Sequence, residues 1–182
     1  LVMSLTTQLG KRGNLLEEKP THARLIKLNS PVLNQNELDA IRQSGLPTAT
    51  LSTLFNLSAG PSGLKAAVEA LCQAAVTAVQ QGAEILILSD RCDVNGQTCT
   101  LDADHSYIAP LLAVGAVHHH LIQQGLRLQV SLVVDTAQCW STHHFACLIG
   151  YGAAAVCPYL ALEAVCQWWS SEKTQKLMAL GK

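Results

Sequence analysis

Ile85-Leu86-Ile87-Leu88 is an unbroken apolar run between Gly82 and a polar stretch that begins at Ser89. A strand with one wet face alternates apolar and polar residues. A run without alternation reads as a strand buried on both faces, as in a parallel sheet covered by helices. Leu128 to Val134 is expected as the next buried strand and ends at Asp135. Between the two runs lies a long helical segment, expected from about Ser106 to Gln124 and ended by Gly125.

The same alternation extends both ways. Leu25 to Leu28 is an expected strand, and Asn34 with Glu37 three residues later reads as a capping box opening a helix to about Ser44. Thr50 to Phe55 is rich in β-formers. A helix follows over Leu64 to Gln80, with Leu64, Ala67, Val68, Leu71, Ala75 and Val79 as its apolar stripe. Further on, the pattern predicts a helix over Ser141–Ile149, a strand over Ala153–Val156 and a helix over Tyr159–Trp169. The first 20 residues read as polar and turn-like. Strand then helix, five times over, gives an α/β fold of parallel strands joined by helical crossovers. A doubly wound sheet fits, and so does an incomplete or degenerate (β/α) barrel, since a full barrel needs about 250 residues and this chain has 182.

Charged residues are only 14% of the chain, against about 25% in an average soluble domain. Such a surface is expected to face other protein. The ends, Leu1-Val2-Met3 and Leu180-Gly181-Lys182, fit a single segment, residues 1–182, of a larger chain. A net charge of -1 gives no support to a nucleic-acid footprint. Seven cysteines without C-x-x-C argue for a reducing compartment rather than a disulfide scaffold. The uncharged run Phe145–Leu162 contains Gly150, Gly152 and Pro158, so it splits into shorter elements and is not read as a membrane span.

Chemistry in such folds gathers at the C-terminal ends of the strands. Asp90 and Asp135 stand there, as a pair of acids for base or metal chemistry or as loop caps paired with Arg91 or Arg127. With Asp104 and His105 they make up the candidate set of a stand-alone metal-dependent enzyme. His118-His119-His120 cannot converge on one metal from a regular helix, whose neighbours differ by about 100°. One is expected in the core, one on a backbone carbonyl and one facing solvent or a partner. Cys139, His143 and Cys147 would share a helix face, which suits zinc but lacks a fourth ligand. Ala59-Gly60-Pro61-Ser62-Gly63 could hold an anion at a helix start, short of the donor that Pro61 removes. Trp168-Trp169 reads either as an interface anchor or as core. Neither G-x-G-x-x-G nor a P-loop occurs.

Several stretches carry a family likeness. They are Met3-Ser4-Leu5 through Gly10-Lys11-Arg12-Gly13-Asn14-Leu15-Leu16 to Ser30-Pro31-Val32-Leu33, and Leu88-Ser89-Asp90-Arg91. The most specific is Leu111 to Ile122 with its tripled histidine, continued from His143-His144-Phe145 to Ala153 and over Pro158-Tyr159-Leu160-Ala161. Together they resemble the central domain of glutamate synthase, of the ferredoxin-dependent type or the large subunit of the NADPH type. The resemblance implies a parent that makes two L-glutamates from L-glutamine and 2-oxoglutarate, using FMN and a 3Fe-4S cluster. It implies partner domains in the same chain: an amidotransferase that frees ammonia and an FMN-binding domain that uses it. Ferredoxin would act through those other domains, in the cytoplasm or the plastid stroma. The segment itself would hold no cofactor and no catalytic residue, and the C-x5-C-x4-C spacing of the cluster is absent here. Its expected role is to join the two domains and help form the ammonia passage, with Thr6, Thr7, Gly13 and Asn14 as candidate passage residues.

Overall fold

The computed structural model describes residues 4–14, 16–91 and 103–179. Its centre is a four-stranded parallel sheet of β3 (Thr48–Ser52), β5 (Ile85–Ser89), β7 (Ser131–Asp135) and β8 (Ala155–Cys157), lying in that order. The register sets Thr50 beside Ile87, Leu88 beside Val134 and Asp135 beside Cys157. All five residues of β5 are buried, as the apolar run requires. Each of its leucine and isoleucine side chains contributes roughly 1.5–3 kcal/mol by leaving water.

The pleat sorts these strands into two cores. Leu86, Leu88, Leu132, Val134 and Val156 pack under α2 (Pro61–Gln80), α3 (Pro110–Gln123) and α4 (Thr142–Gly150). The expected stripe of α2 lies here, with Leu71, Ala75 and Val79 buried and Leu64, Ala67 and Val68 packed beside them. Ile85, Ile87, Val133, Ala155 and Cys157 face the other way. They meet Leu38 and Ile41 of α1 (Gln35–Arg42), together with Leu9 of β1 (Thr7–Leu9) and the partly buried Ile26 and Leu28 of β2 (Ile26–Leu28).

Strands in chain order with three crossover helices on one face form the arc of a barrel, not a doubly wound sheet, whose strand order reverses. Val32 forms an isolated parallel bridge to Val156 beside β8. That is where the first strand of a closed barrel would stand, but no strand closes the gap to β3 among the described residues. The fold is an α/β arc of alternating units, a degenerate barrel whose open side holds α1 and the β1–β2 ribbon.

Several expectations change. The early strand does not join the parallel sheet. It pairs antiparallel with β1, which the polar first 20 residues concealed. The predicted Thr50–Phe55 strand is two strands, broken at Thr53, and the second, β4 (Leu54–Asn56), pairs antiparallel with β6 (His105–Tyr107). Ser106 therefore lies in a strand, and α3 starts at Pro110, where the ring suits the first helical turn. Arg127–Gln129 is a 3-10 turn, so β7 starts at Ser131. The capping box on α1 is present in full: Glu37 N donates to Asn34 Oδ1, and Asn34 N donates to Glu37 Oε2. The chain ends in α5 (Tyr159–Ser170) and α6 (Glu172–Ala179). Trp168 and Trp169 are about half exposed and not core, as are Val165 and Met178. Among the described residues no helix is long and apolar enough to cross a membrane.

Candidate functional site

At the C-terminal end of the arc, parallel pairing sets Ser89 beside Asp135. Asp135 is fully buried and accepts from Ser89 Oγ (2.9 Å), Arg91 Nε (2.9 Å) and Arg91 Nη2 (3.0 Å). The Arg91 fork is bidentate, the strong form of this pairing. Arg91 also donates to Gln35 of α1 and lies over the Tyr159 ring, 4.3 Å from its centroid. Asp90 accepts from Thr136 Oγ1 (2.6 Å), Ala137 N (3.0 Å) and Tyr159 Oη (2.9 Å). Burial pushes its pKa above the ordinary carboxylate value, against the pull of these three donors. Beside them, burial and then the Asp135 charge push the Cys157 thiol up to about 12, so it stays protonated.

This arrangement locks loops together. Both Asp90 and Asp135 are engaged in hydrogen bonds that link these loops. Asp135 pairs with Arg91 and not Arg127, and Asp90 caps the turn after β7. Each oxygen of both carboxylates accepts at least one hydrogen bond from the described residues. Asp104 and His105 belong elsewhere, at the β4–β6 ribbon, where the Asp104 carbonyl accepts from Leu57 N (2.8 Å). The four-residue enzyme site is not assembled. Residues 92–102 of the polar loop that carried part of that reading lie outside the described residues.

The other candidates also separate. Cys139 is buried ahead of α4, and burial pushes its thiol up to about 11. Cys147 Sγ lies 3.5 Å from His143 Nε2 on α4, leaving a pair rather than a ligand set. In Ala59–Gly63, the Gly63 N–H already donates to the Gly60 carbonyl (3.0 Å). The 3Fe-4S cluster that the resemblance implies would need three thiolates together. Among the described residues no group of three His, Cys, Asp or Glu side chains could hold a metal, so the described residues do not fit such a cluster. The sequence also lacks glycine-rich loops for a flavin phosphate.

A cleft of about 490 Å³ opens at the opposite, N-terminal end of the strands. Thr6 and Thr7 line it, with Arg12, His118, Arg127 and Ser131. Gly13 and Asn14 do not. Gly13 packs against His22, and Asn14 Oδ1 accepts from Leu16 N (3.0 Å). Arg127 donates to His118 Nδ1 (2.9 Å), Val130 O (2.7 Å) and Gly152 O (2.7 Å). Of the three histidines, His118 meets a guanidinium, and the guanidinium takes the carbonyls. His119 is exposed, and His120 Nε2 lies 3.5 Å from Gln73 Nε2. A Cβ at Gly152, whose φ is +118°, would fall on the His118 ring. Arg12 and Arg127 stand far apart in the chain, so no local pattern shows that they share this cleft.

Comparison with known proteins places this architecture. The family model described as glutamate synthase central domain matches residues 1–180. Over all 182 residues the chain is 61% identical to ferredoxin-dependent glutamate synthase 2 of Synechocystis and 53% identical to ferredoxin-dependent glutamate synthase of Pyropia yezoensis. It is 51% identical over 184 aligned residues to the chloroplastic enzyme of Oryza sativa, again over the whole of this chain. It spans 11% of the length of each of these relatives. With a match of this extent, the chain belongs to the glutamate synthase central domain family.

Proposed function

We propose that this segment is the linking domain of a ferredoxin-dependent glutamate synthase, which makes two L-glutamates from L-glutamine and 2-oxoglutarate. The observation that carries the reading is identity running through the whole chain to relatives named as that enzyme. In it the segment is non-catalytic and joins an amidotransferase domain to an FMN-binding domain. FMN, the 3Fe-4S cluster and the ferredoxin contact belong to the other domains, and the parent works in the cytoplasm or the plastid stroma.

Three features support the scaffold role. The strand-end acids, where an α/β enzyme keeps its chemistry, are consumed by internal hydrogen bonds. Few charges cover the surface. Half-exposed Trp140, Trp168 and Trp169 are the kind of side chain that anchors a domain interface. We place the wall of the ammonia passage at Thr6 and Thr7, which line the cleft, with Gly13 and Asn14 in the following loop.

The test is an assay of the full-length polypeptide with reduced ferredoxin, glutamine and 2-oxoglutarate. The reading expects two glutamates per glutamine. Filling the passage with Thr6→Trp is expected to release ammonia into solution at the expense of the second glutamate. No ferredoxin-dependent glutamate formation would overturn the assignment. Unchanged coupling in Thr6→Trp would overturn the placing of the passage.

A further inference from the structure

We propose that the cleft at the N-terminal end of the strands binds a small oxyanion, a carboxylate or phosphate group, between Arg12 and Arg127. The cleft wall holds two guanidiniums and no carboxylate. Neither arginine forms an ion pair among the described residues. Arg127 spends three of its donors on His118, Val130 O and Gly152 O, which leaves an N–H free on each terminal nitrogen. His118 accepts at Nδ1, so its proton sits on Nε2 and it too is a donor. Thr7 lines the same space.

The two cations are held near each other by the fold. Arg12 N donates to Leu128 O (2.9 Å), which pins the loop after β1 onto the turn that carries Arg127. Gly10 N and Gly10 O both bond to Ser131 Oγ (3.0 and 3.1 Å), fixing the same loop to the start of β7. Burial, and then the neighbouring Arg12 charge, hold the Arg127 pKa below its ordinary value. Like charges kept together without a counter-charge are costly, and an oxyanion removes the cost through charge-assisted hydrogen bonds. A volume of about 490 Å³ admits a small dicarboxylate or a phosphate ester.

The oxyanion is either a free small molecule or a carboxylate side chain from elsewhere in the same polypeptide. Hydrogen exchange on the native full-length polypeptide separates these. Peptides covering 4–14 and 118–131 are followed in chloride, in inorganic phosphate and in glutarate at equal ionic strength. The variant is Arg12→Gln, because Arg12 is exposed and a glutamine keeps a polar side chain there. A free ligand slows exchange of these peptides about fivefold, with a midpoint roughly tenfold higher in Arg12→Gln. A resident carboxylate leaves them slow and unresponsive to added anion in the wild type, and faster in Arg12→Gln. Equal exchange, or an equal anion response, in the wild type and Arg12→Gln would overturn the proposal.

Discussion

Tyr159 Oη donates to Asp90 Oδ1 over 2.9 Å, joining two residues 69 positions apart. The bond ties the first turn of α5 to the loop after β5, and Asp90 in turn holds Thr136 and Ala137 after β7. Asp90→Ala leaves all three donors stranded and is expected to cost about 3 kcal/mol. Asp90→Asn keeps the shape and one acceptor and should cost less. Tyr159→Phe removes one bond, at about 1–2 kcal/mol. Denaturant midpoints should rank the three in that order.

Asp135 has no exposed surface and carries the bidentate Arg91 pair. Asp135→Ala removes the buried acceptor of the Arg91 fork and of Ser89 Oγ, at an expected cost of about 3–5 kcal/mol. Arg91→Lys loses the fork and the stacking on Tyr159 and should fall between the wild type and Asp135→Ala in thermal melting.

Gly152 combines a left-handed φ of +118° with a missing side chain whose place His118 occupies. Gly152→Ala is expected to destabilise by roughly 2–4 kcal/mol, from backbone strain and overpacking together. It should also displace His118 from Arg127, which NMR of the histidine ring would read directly.

Burial, and then the Arg127 charge, hold the His118 pKa below its ordinary value. The unfolded chain therefore takes up a proton near pH 6.5 that the native chain refuses. Stability is expected to fall as pH drops below about 6.5, and to flatten once the native imidazole also titrates. In His118→Gln the denaturant midpoint should drop less between about pH 7.5 and pH 5.5. An equal drop in both proteins would contradict the assignment of a neutral, Arg127-bonded imidazole.

The legible parts of this fold are those set by local pattern. The two-sided burial of Ile85–Leu88, the stripe of α2 and the Asn34–Glu37 box all stand where the residues put them. What escaped depends on distance along the chain. β1 and β6 are three residues each and owe their existence to partners far away, so no periodicity could reveal them. The α3 start was misplaced because Ser106 looks like a cap, while Pro110 is the residue the helix uses. At the strand ends, Asp90 and Asp135 were correctly singled out by position. Which partners they take was not legible, because Arg91, Thr136 and Tyr159 come together only in the fold. Thr6 and Thr7 do line a cleft, but its arginines gave no local signal.

On the proposed function, these 182 residues are one structural segment of a much longer glutamate synthase polypeptide. The most direct measurement is the mass of the native polypeptide in source cells, detected with an antibody raised to this segment. A band several times larger than 19.5 kDa, copurifying with ferredoxin-dependent glutamate formation, is the predicted result. A band at 19.5 kDa, without that activity, would contradict it.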